Sequence, residues 1–377
     1  MSTSTYVHFP WCLQKCPYCD FASATIRRPE VPHTDYADAV LRELELRAAV
    51  TGTGPLESVF FGGGTPSLWE PRELGRVLRA IRGAFGSHDA DLEITVECNP
   101  SSLDQRRAAE LREVGVNRLS IGVQSLDAQR LRFLGRLHDG PGALAALRGA
   151  LAEMPRVSGD LMFGMPEQTP DDFLGEVSQL LELGLTHMSV YALTIEPQTQ
   201  FGELHRKGRL TLAKEDAYAD TFLACEALLA EHGFEHYEVS NYAKPGQTSR
   251  HNQHYWRGGD YLGLGCAAVG CIDKRRTRNR PQPAKYFAAT DLTSLEEESE
   301  QLDAQALIRE ALMLGLRTSE GVDLRELETR TGVNPKRTRE KSLATNLERG
   351  RIKIEGDRMK VPREHWLQLD GIVTDLF

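Results

Sequence analysis

The sequence predicts an α/β fold: a partial, TIM-like (β/α)6 barrel followed by a small C-terminal winged-helix-like α+β domain. Three observations predict it. Short apolar runs alternate with helical patterns from near residue 5 to residue 193, the order that builds a parallel sheet with right-handed crossovers. Polar residues such as Glu97 and Gln124 directly follow several of those runs, at the sheet edge where such barrels place their sites. The tail differs in kind, with three helices and then a hairpin.

Taken in order, a short alternating strand about Tyr6 runs into YVHFPWCLQKCPYCDF, residues 6–21. Thr34 caps a helix carrying Tyr36, Val40, Leu44 and Ala48 on one face. Ser58–Phe61 forms a buried strand that enters Gly62-Gly63-Gly64-Thr65-Pro66. Pro71 opens a helix bearing Leu74, Val77, Leu78 and Ile81. The next strand, Leu92–Val96, ends at Glu97, and Ser102 with Gln105 reads as a capping box for a helix stopped by Gly115. Strands follow at Leu119–Val123, Leu161–Phe163 and Met188–Leu193. Between the last two, Thr169-Pro170 opens a helix with Asp171 and Asp172 in its first turn and Gly184 past its end.

A longer helix spans Lys214–His232. The chain then reads as irregular from Phe234 to Gly270 and as a linker from Pro281 to Gln301. Ala304–Leu316 is an apolar helix, Asp323 and Gly332 bracket another, and Asn334-Pro335 opens a third that stops at Gly350. Ile352, Ile354, Met359 and Val361 alternate about Gly356 as a hairpin. The expected units are therefore 1–233, a partial barrel; 234–300, an irregular extension and linker; and 301–377, the winged-helix-like domain.

At 377 residues the chain can bury a full core. Hydrophobic residues make up 40% and no apolar run approaches the ~20 residues of a membrane span, so an integral membrane protein is not expected. A polar Met1–Thr5 start shows no signal-peptide pattern, and seven cysteines without disulfide-like regularity suit a reducing cytoplasm. A net charge of -9 argues against general nucleic-acid binding, although the third tail helix carries Lys336, Arg337, Arg339 and Lys341.

The chemistry centres on Cys12, Cys16 and Cys19, in C-x3-C-x2-C spacing. Pro17 lies among them, and proline inside a helix costs ~3 kcal/mol, so the stretch reads as a loop folded back on itself. Iron–sulfur cubes normally take four cysteines; three leave one iron open, and an open metal position signals chemistry rather than scaffolding. A structural zinc site borrowing His8 or Asp20 is the competing reading. The glycine run lacks the lysine of a phosphate-binding loop and suits a backbone lying close to a ligand. Cys266 and Cys271 are too few for a second metal site, and Cys98 and Cys225 read as packing residues.

C-x3-C-x2-C with Tyr18 before the last cysteine resembles the signature of the radical S-adenosylmethionine (radical SAM) proteins. That resemblance implies a 4Fe–4S cluster whose open iron is chelated by S-adenosyl-L-methionine, and cleavage of that cofactor to a deoxyadenosyl radical. From Tyr6 to Trp256 the motif order is similar to that of the coproporphyrinogen dehydrogenase branch: Y-x-H-x-P, G-G-G-T-P, E-x-N-P, R-L-S-x-G-V-Q and G-D-L-x-x-G-x-P. By matching positions it implies Tyr6, Gly63 and Glu97 around the cluster-bound cofactor. It likewise implies Tyr18, Gly64, Thr65, Gln124, Arg136 and Asp160 around a second cofactor molecule.

Two departures bear on activity. The dehydrogenases carry a further cysteine two residues after the motif, where this chain has Phe21, and a long N-terminal extension, where this chain has five residues before Tyr6. Both resemble instead the haem-chaperone group of that branch, as does His251-Asn252-Gln253-His254-Tyr255-Trp256. Imidazole ligates haem iron and flat rings stack on the macrocycle, so His251 is the candidate haem ligand, with His254 left open. Arg275, Arg276, Arg278 and Arg280 are weak candidates for haem propionates, a solvated charged loop being the better reading.

The resemblance thus implies delivery of haem to apo-haemoproteins, with membrane respiratory proteins as candidates and a homodimer left open. The alternatives are oxidative decarboxylation of coproporphyrinogen III and a DNA-binding regulator using the winged tail.

Overall fold

A computed structural model describes residues 2–51, 54–86 and 88–377; Met1, in the polar start, lies outside them. The barrel strands are β1 (Thr3–Phe9), β2 (Leu56–Gly63), β3 (His88–Cys98), β4 (Arg118–Gln124), β5 (Arg156–Phe163) and β6 (His187–Ala192). Each pairs in parallel with the next. Helices α1 (His33–Leu46), α2 (Pro71–Phe85), α3 (Gln105–Glu113), α4 (Ala128–Phe133), α5 (Gly140–Glu153) and α6 (Pro170–Glu182) form the crossovers, followed by α7 (Gln200–Arg206) and α8 (Glu215–Glu231). The expected strand-then-helix order holds throughout this region. Neither α4 nor α5 was anticipated.

Strand geometry decides which residues meet the helices and which meet the interior, since successive side chains alternate faces. In β4, Leu119, Ile121 and Val123 are fully buried under the helices, while Arg118, Ser120, Gly122 and Gln124 share the opposite face. On α2 the four anticipated residues, Leu74, Val77, Leu78 and Ile81, are all fully buried, with Pro71 in the first turn. Thr169 and Asp172 form a reciprocal capping box at α6.

Two expected caps are corrected. Thr34 lies inside α1, whose first turn is set by Pro32 O accepting from Tyr36 N at 2.9 Å. Asp104 caps α3, accepting from Arg107 N at 2.7 Å, because Ser102 is committed to Ser67.

The larger correction concerns 234–300, which is regular rather than irregular. It supplies β7 (Glu235–Glu238), β8 (Asn241–Ala243), α9 (Arg250–Trp256), β9 (Asp260–Leu264), β10 (Val269–Ile272), β11 (Arg275–Asn279), α10 (Pro283–Ala288) and β12 (Glu296–Gln301). The twelve-stranded sheet runs β12-β11-β10-β9-β1-β2-β3-β4-β5-β6-β8-β7, an open order whose two ends are edge strands. β9 continues the parallel run beside β1, whereas the remaining additions are antiparallel. The supposed linker is held by charge. Arg275, Arg276, Arg278 and Arg280 lie opposite an acidic strand and pair with Glu296, Glu300, Glu298 and Glu297. Three of the arginines are therefore bound to glutamates across a strand ladder and Arg280, just past β11, to Glu297, rather than all lying on a solvated loop.

Buried Glu43 on α1 fixes this extension to the barrel. It accepts from Gly265 N (2.8 Å), Asn279 Nδ2 (2.7 Å) and Tyr286 Oη (2.7 Å), and it pairs with Arg47 at 2.8 Å. Tyr36 adds a second tie by donating to His8 O and accepting from Cys266 N.

In the tail, 304–315 and 324–331 are helices, the latter capped by Asp323 and closed by Gly332 as expected. The third helix is divided into 335–338 and 340–348 at Arg339. The buried guanidinium of Arg339 donates to Leu376 O at 2.7 Å and Lys336 pairs with Asp357, so two of the four charges are engaged within the domain, while Arg337 and Lys341 are exposed. The hairpin strands 353–355 and 358–360 join 322–323 in a three-stranded sheet. Among the described residues no helix is long and apolar enough to cross a membrane.

Candidate functional site

Trp11-Cys12 pairs with Ala24-Thr25, so residues 12–25 return as the expected loop. The glycine turn after β2 holds that loop in place. Gly64 N donates to Phe9 O at 2.7 Å, Thr65 N to Trp11 O at 2.8 Å, and Thr65 Oγ1 to Cys12 Sγ at 3.4 Å. A Cβ on Gly64 would lie 2.6 Å from Trp11 O, and one on Gly63, whose φ is +108°, would lie 2.7 Å from the His8 ring. The glycines are thus dictated first by the close approach of the chain to itself, which seats Cys12.

Two adjoining cavities open at the carboxyl edge and interior of the sheet. The smaller, about 350 Å³, is lined by Cys12, Cys16 and Cys19 together with Tyr18, Gly64, Thr65, Gln124 and Arg136. The larger, about 760 Å³, is lined by Tyr6, Phe60, His251, Tyr255 and Trp256 among others. Gly63, Glu97 and Asp160 line both. The residues assigned from the sequence to the cluster, to the cofactor and to His251 therefore all face one of two connected spaces, whereas His254, Arg275, Arg276 and Arg280 line neither.

The donor set of the smaller cavity suits an iron–sulfur cluster with an additional ligand. Its three loop cysteines and Cys98 are free, and Arg136 Nη1 donates to Cys16 Sγ at 3.6 Å, placing a cation beside the loop thiols. Gln124 Oε1 and Arg136 Nε are buried without a hydrogen-bond partner, and Gln124 holds a left-handed φ of 68°. Unpartnered buried polar atoms on a strained backbone mark a site shaped for something else. Among the described residues no group of three or more His, Cys, Asp or Glu side chains is drawn together as a site for a single metal ion.

Two carboxyls stand where the cavities meet. Asp160 accepts from Ser120 Oγ and Ser158 Oγ, each at 3.0 Å at closest, and burial pushes it up to about 6. Glu97 accepts from Gly63 N at 3.1 Å and is pushed up to about 8, by burial first and by neighbouring Asp160 second. A carboxyl that keeps its proton in the folded chain contributes stability that is complete below its ordinary value of 4.5 and is lost as pH rises through about 8. Cofactor-free Glu97→Gln protein should accordingly melt near the parent at pH 5 and about 2–4 °C or more above it at pH 9. Equal gaps at the two pH values in thermal melts would remove this assignment.

The histidines separate into distinct roles. His8 uses both ring nitrogens, Nδ1 with Tyr6 Oη at 2.9 Å and Nε2 with Ala22 O at 2.8 Å, which removes it as a fourth ligand beside the cysteines. His254 is likewise committed, to Glu57 at 3.0 Å and to Asp260 O at 2.8 Å. His251 differs. Its Nδ1 meets Ser58 Oγ at 2.8 Å, and that hydroxyl donates onward to Ser4 Oγ at 2.8 Å. Nδ1 must then carry the proton, leaving the Nε2 lone pair unengaged in the wall of the larger cavity. Burial lowers His251 to about 3, which keeps the ring neutral, and it stacks on Phe60 at 4.8 Å. The helix α9 that presents it is capped by Ser249 and anchored by Glu93, which accepts from Arg250 N and His251 N.

Ser120 and Tyr191, which line both cavities, were not anticipated, nor was Arg118 in the larger one. The alternation Arg118, Ser120, Gly122, Gln124 along β4 was the available signal.

The radical SAM superfamily model matches residues 6–208, and the HemN C-terminal domain model matches residues 302–367. The chain is 42% identical over 270 residues to the heme chaperone HemW of Escherichia coli K12, spanning 71% of this chain and 70% of that protein. It is 34% identical over 374 residues to the heme chaperone HemW of Mycobacterium tuberculosis H37Rv, spanning 98% and 94%. Among solved structures, coproporphyrinogen III oxidase (HemN) of Escherichia coli, a radical SAM enzyme, superposes with a TM-score of 0.82 over 100% of this chain and 89% of that one. At 22% identity that likeness shows the fold. The cysteine loop, its glycine turn and these relatives together make the chain a member of the radical SAM superfamily and, within it, of the HemW family.

Proposed function

We propose that this protein binds haem in the larger cavity and hands it to apo-haemoproteins. Membership of the superfamily implies a 4Fe–4S cluster and S-adenosylmethionine. Cys12, Cys16 and Cys19 would hold the cluster; Tyr6, Gly63 and Glu97 would flank the cofactor on it. Tyr18, Gly64, Thr65, Gln124, Arg136 and Asp160 would surround a second cofactor molecule. When bound, the reduced cluster supplies an electron to the sulfonium. In this reading the pair sets the conformation or assembly of the chaperone rather than oxidising a porphyrinogen.

The observation that carries the proposal is His251: a neutral imidazole, oriented through Nδ1 by Ser58, with Nε2 left to an aromatic-walled cavity of about 760 Å³. Metal-ligating histidines are held in this way by a hydrogen bond to the other nitrogen, and cavities of this size suit a large flat ligand. The relatives named heme chaperone agree with it. Phe21, 57% exposed, stands two residues after the last cysteine and lines both cavities, where a dehydrogenase would present a thiol. Recipients would be apo-haemoproteins, membrane respiratory proteins among them, met in the cytoplasm by a protein acting as a homodimer or as a single chain.

The test is one anaerobically reconstituted preparation assayed twice. Titration with haem should give a saturable Soret change, and incubation with coproporphyrinogen III, cofactor and reductant should give no protoporphyrinogen. Measurable turnover would overturn the proposal in favour of the dehydrogenase.

A further inference from the structure

The larger cavity contains a cation to which the fold gives no hydrogen-bonded partner, although its charge helps to hold the Glu93 carboxyl below its usual range. Arg118, the first residue of β4, lines it and is 3% exposed, yet among the described residues its guanidinium makes neither a hydrogen bond nor an ion pair. Its neighbours differ. Arg156 pairs with Glu93 at 2.8 Å, Arg317 with Glu238 at 2.9 Å, and Arg278 with Glu298 at 3.5 Å. The acids around Arg118 are also engaged: Glu93 by Arg156 and two backbone N–H groups, Glu97 by Gly63 N, and Asp160 by two serines. A buried charge lacking a hydrogen-bonded counter-ion is strongly unfavourable, so such a group points to an anion supplied from outside.

The cavity indicates which anion. Arg118 does not line the cysteine-bearing cavity, where Arg136 is the guanidinium present. It shares the space of Tyr6, Phe60, Trp256 and His251. We propose that Arg118 binds a ligand carboxylate by its planar fork, and that this carboxylate is a propionate of the haem whose iron meets His251. The inference rests on the haem reading above. A guanidinium matches a carboxylate bidentately, and from the floor of the cavity it would fix the rotation of the macrocycle about the His251–iron axis. The carboxylate of the methionine part of S-adenosylmethionine offers the same chemistry, and the experiment separates the two.

Reconstituted full-length protein is titrated with haem and with haem dimethyl ester, which lacks the carboxylates. The unaltered chain should prefer haem by about 10- to 100-fold, the range of a charge-assisted hydrogen-bonded pair. Arg118→Gln should bind the two porphyrins alike, and Arg118→Lys should restore part of the preference. Equal affinity of the unaltered chain for haem and its ester overturns the assignment without reliance on any variant. It is overturned equally if Arg118→Gln keeps the preference for haem and loses affinity for S-adenosylmethionine. If neither porphyrin binds the unaltered chain, the haem reading itself falls, and this assignment with it.

Discussion

Cys16→Ala protein, reconstituted anaerobically with iron and sulfide, should retain at least roughly tenfold less iron than the parent and lose its affinity for S-adenosylmethionine. The loop supplies three thiols as ligands, while Cys98, the other cysteine lining the smaller cavity, lies at the end of β3 with its Sγ donating to Val96 O at 3.6 Å, so removing one loop thiol leaves two loop anchors for a cluster that already has an open corner. The fold should be indifferent to the change. Cys16 is only half-buried, in a loop, and its Sγ meets Arg136 Nη1, the Tyr18 hydroxyl and, at 3.9 Å, Gly135 O. The cofactor-free variant should therefore unfold within about 0.5 kcal/mol of the parent. Cys225→Ala gives the opposite pattern: its thiol is 1% exposed in the core beneath α8, so roughly 1 kcal/mol or more of stability should go while iron content stays. Iron analysis, cofactor binding and urea denaturation of both proteins decide the matter. Parent protein that takes up zinc in place of iron, or Cys16→Ala protein with undiminished iron, would sink the cluster assignment.

How much of this could be read from sequence follows from how local each signal is. The six barrel strands were legible because a strand buried on both faces reads as an apolar run, as Val59–Phe61 does, and one buried on its helix face alternates, as Leu119, Ile121 and Val123 do. The cysteine loop was legible because spacing alone carries its chemistry. Residues 275–301 were not, since β11 and β12 are polar strands stabilised by arginines opposite glutamates, and hydrophobic periodicity is blind to cross-strand charge. α9 was missed for a related reason. His, Asn, Tyr and Trp favour helices weakly, and its support comes from Glu93, more than 150 positions away in sequence. The same distance hid Arg118. In sequence it is one polar residue heading an apolar strand, and only the assembled interior reveals that, among the described residues, none hydrogen-bonds its guanidinium.

The second large effect is expected at His251. His251→Ala protein should lose at least roughly tenfold in haem affinity while the absorption of its cluster is unchanged, because the histidine lines the larger cavity and none of the cysteines does. A contrast within α9 guards against a merely structural explanation. His254 is as buried as His251, 6% exposed in each case, and stands one helical turn along, but both of its nitrogens are engaged, by Glu57 and by Asp260 O. His254→Ala breaks two hydrogen bonds and should cost more stability, on the order of 1–3 kcal/mol, while sparing haem binding. His251→Ala forgoes one bond, to Ser58, whose hydroxyl keeps Ser4 as its partner, and empties the position beside Phe60. Two histidines on one short helix thus yield opposite pairs of outcomes: haem lost with the fold kept, or the fold weakened with haem kept. Soret titration and thermal melts on both variants read the pairs directly, and equal haem affinity in the two proteins removes His251 as the ligand.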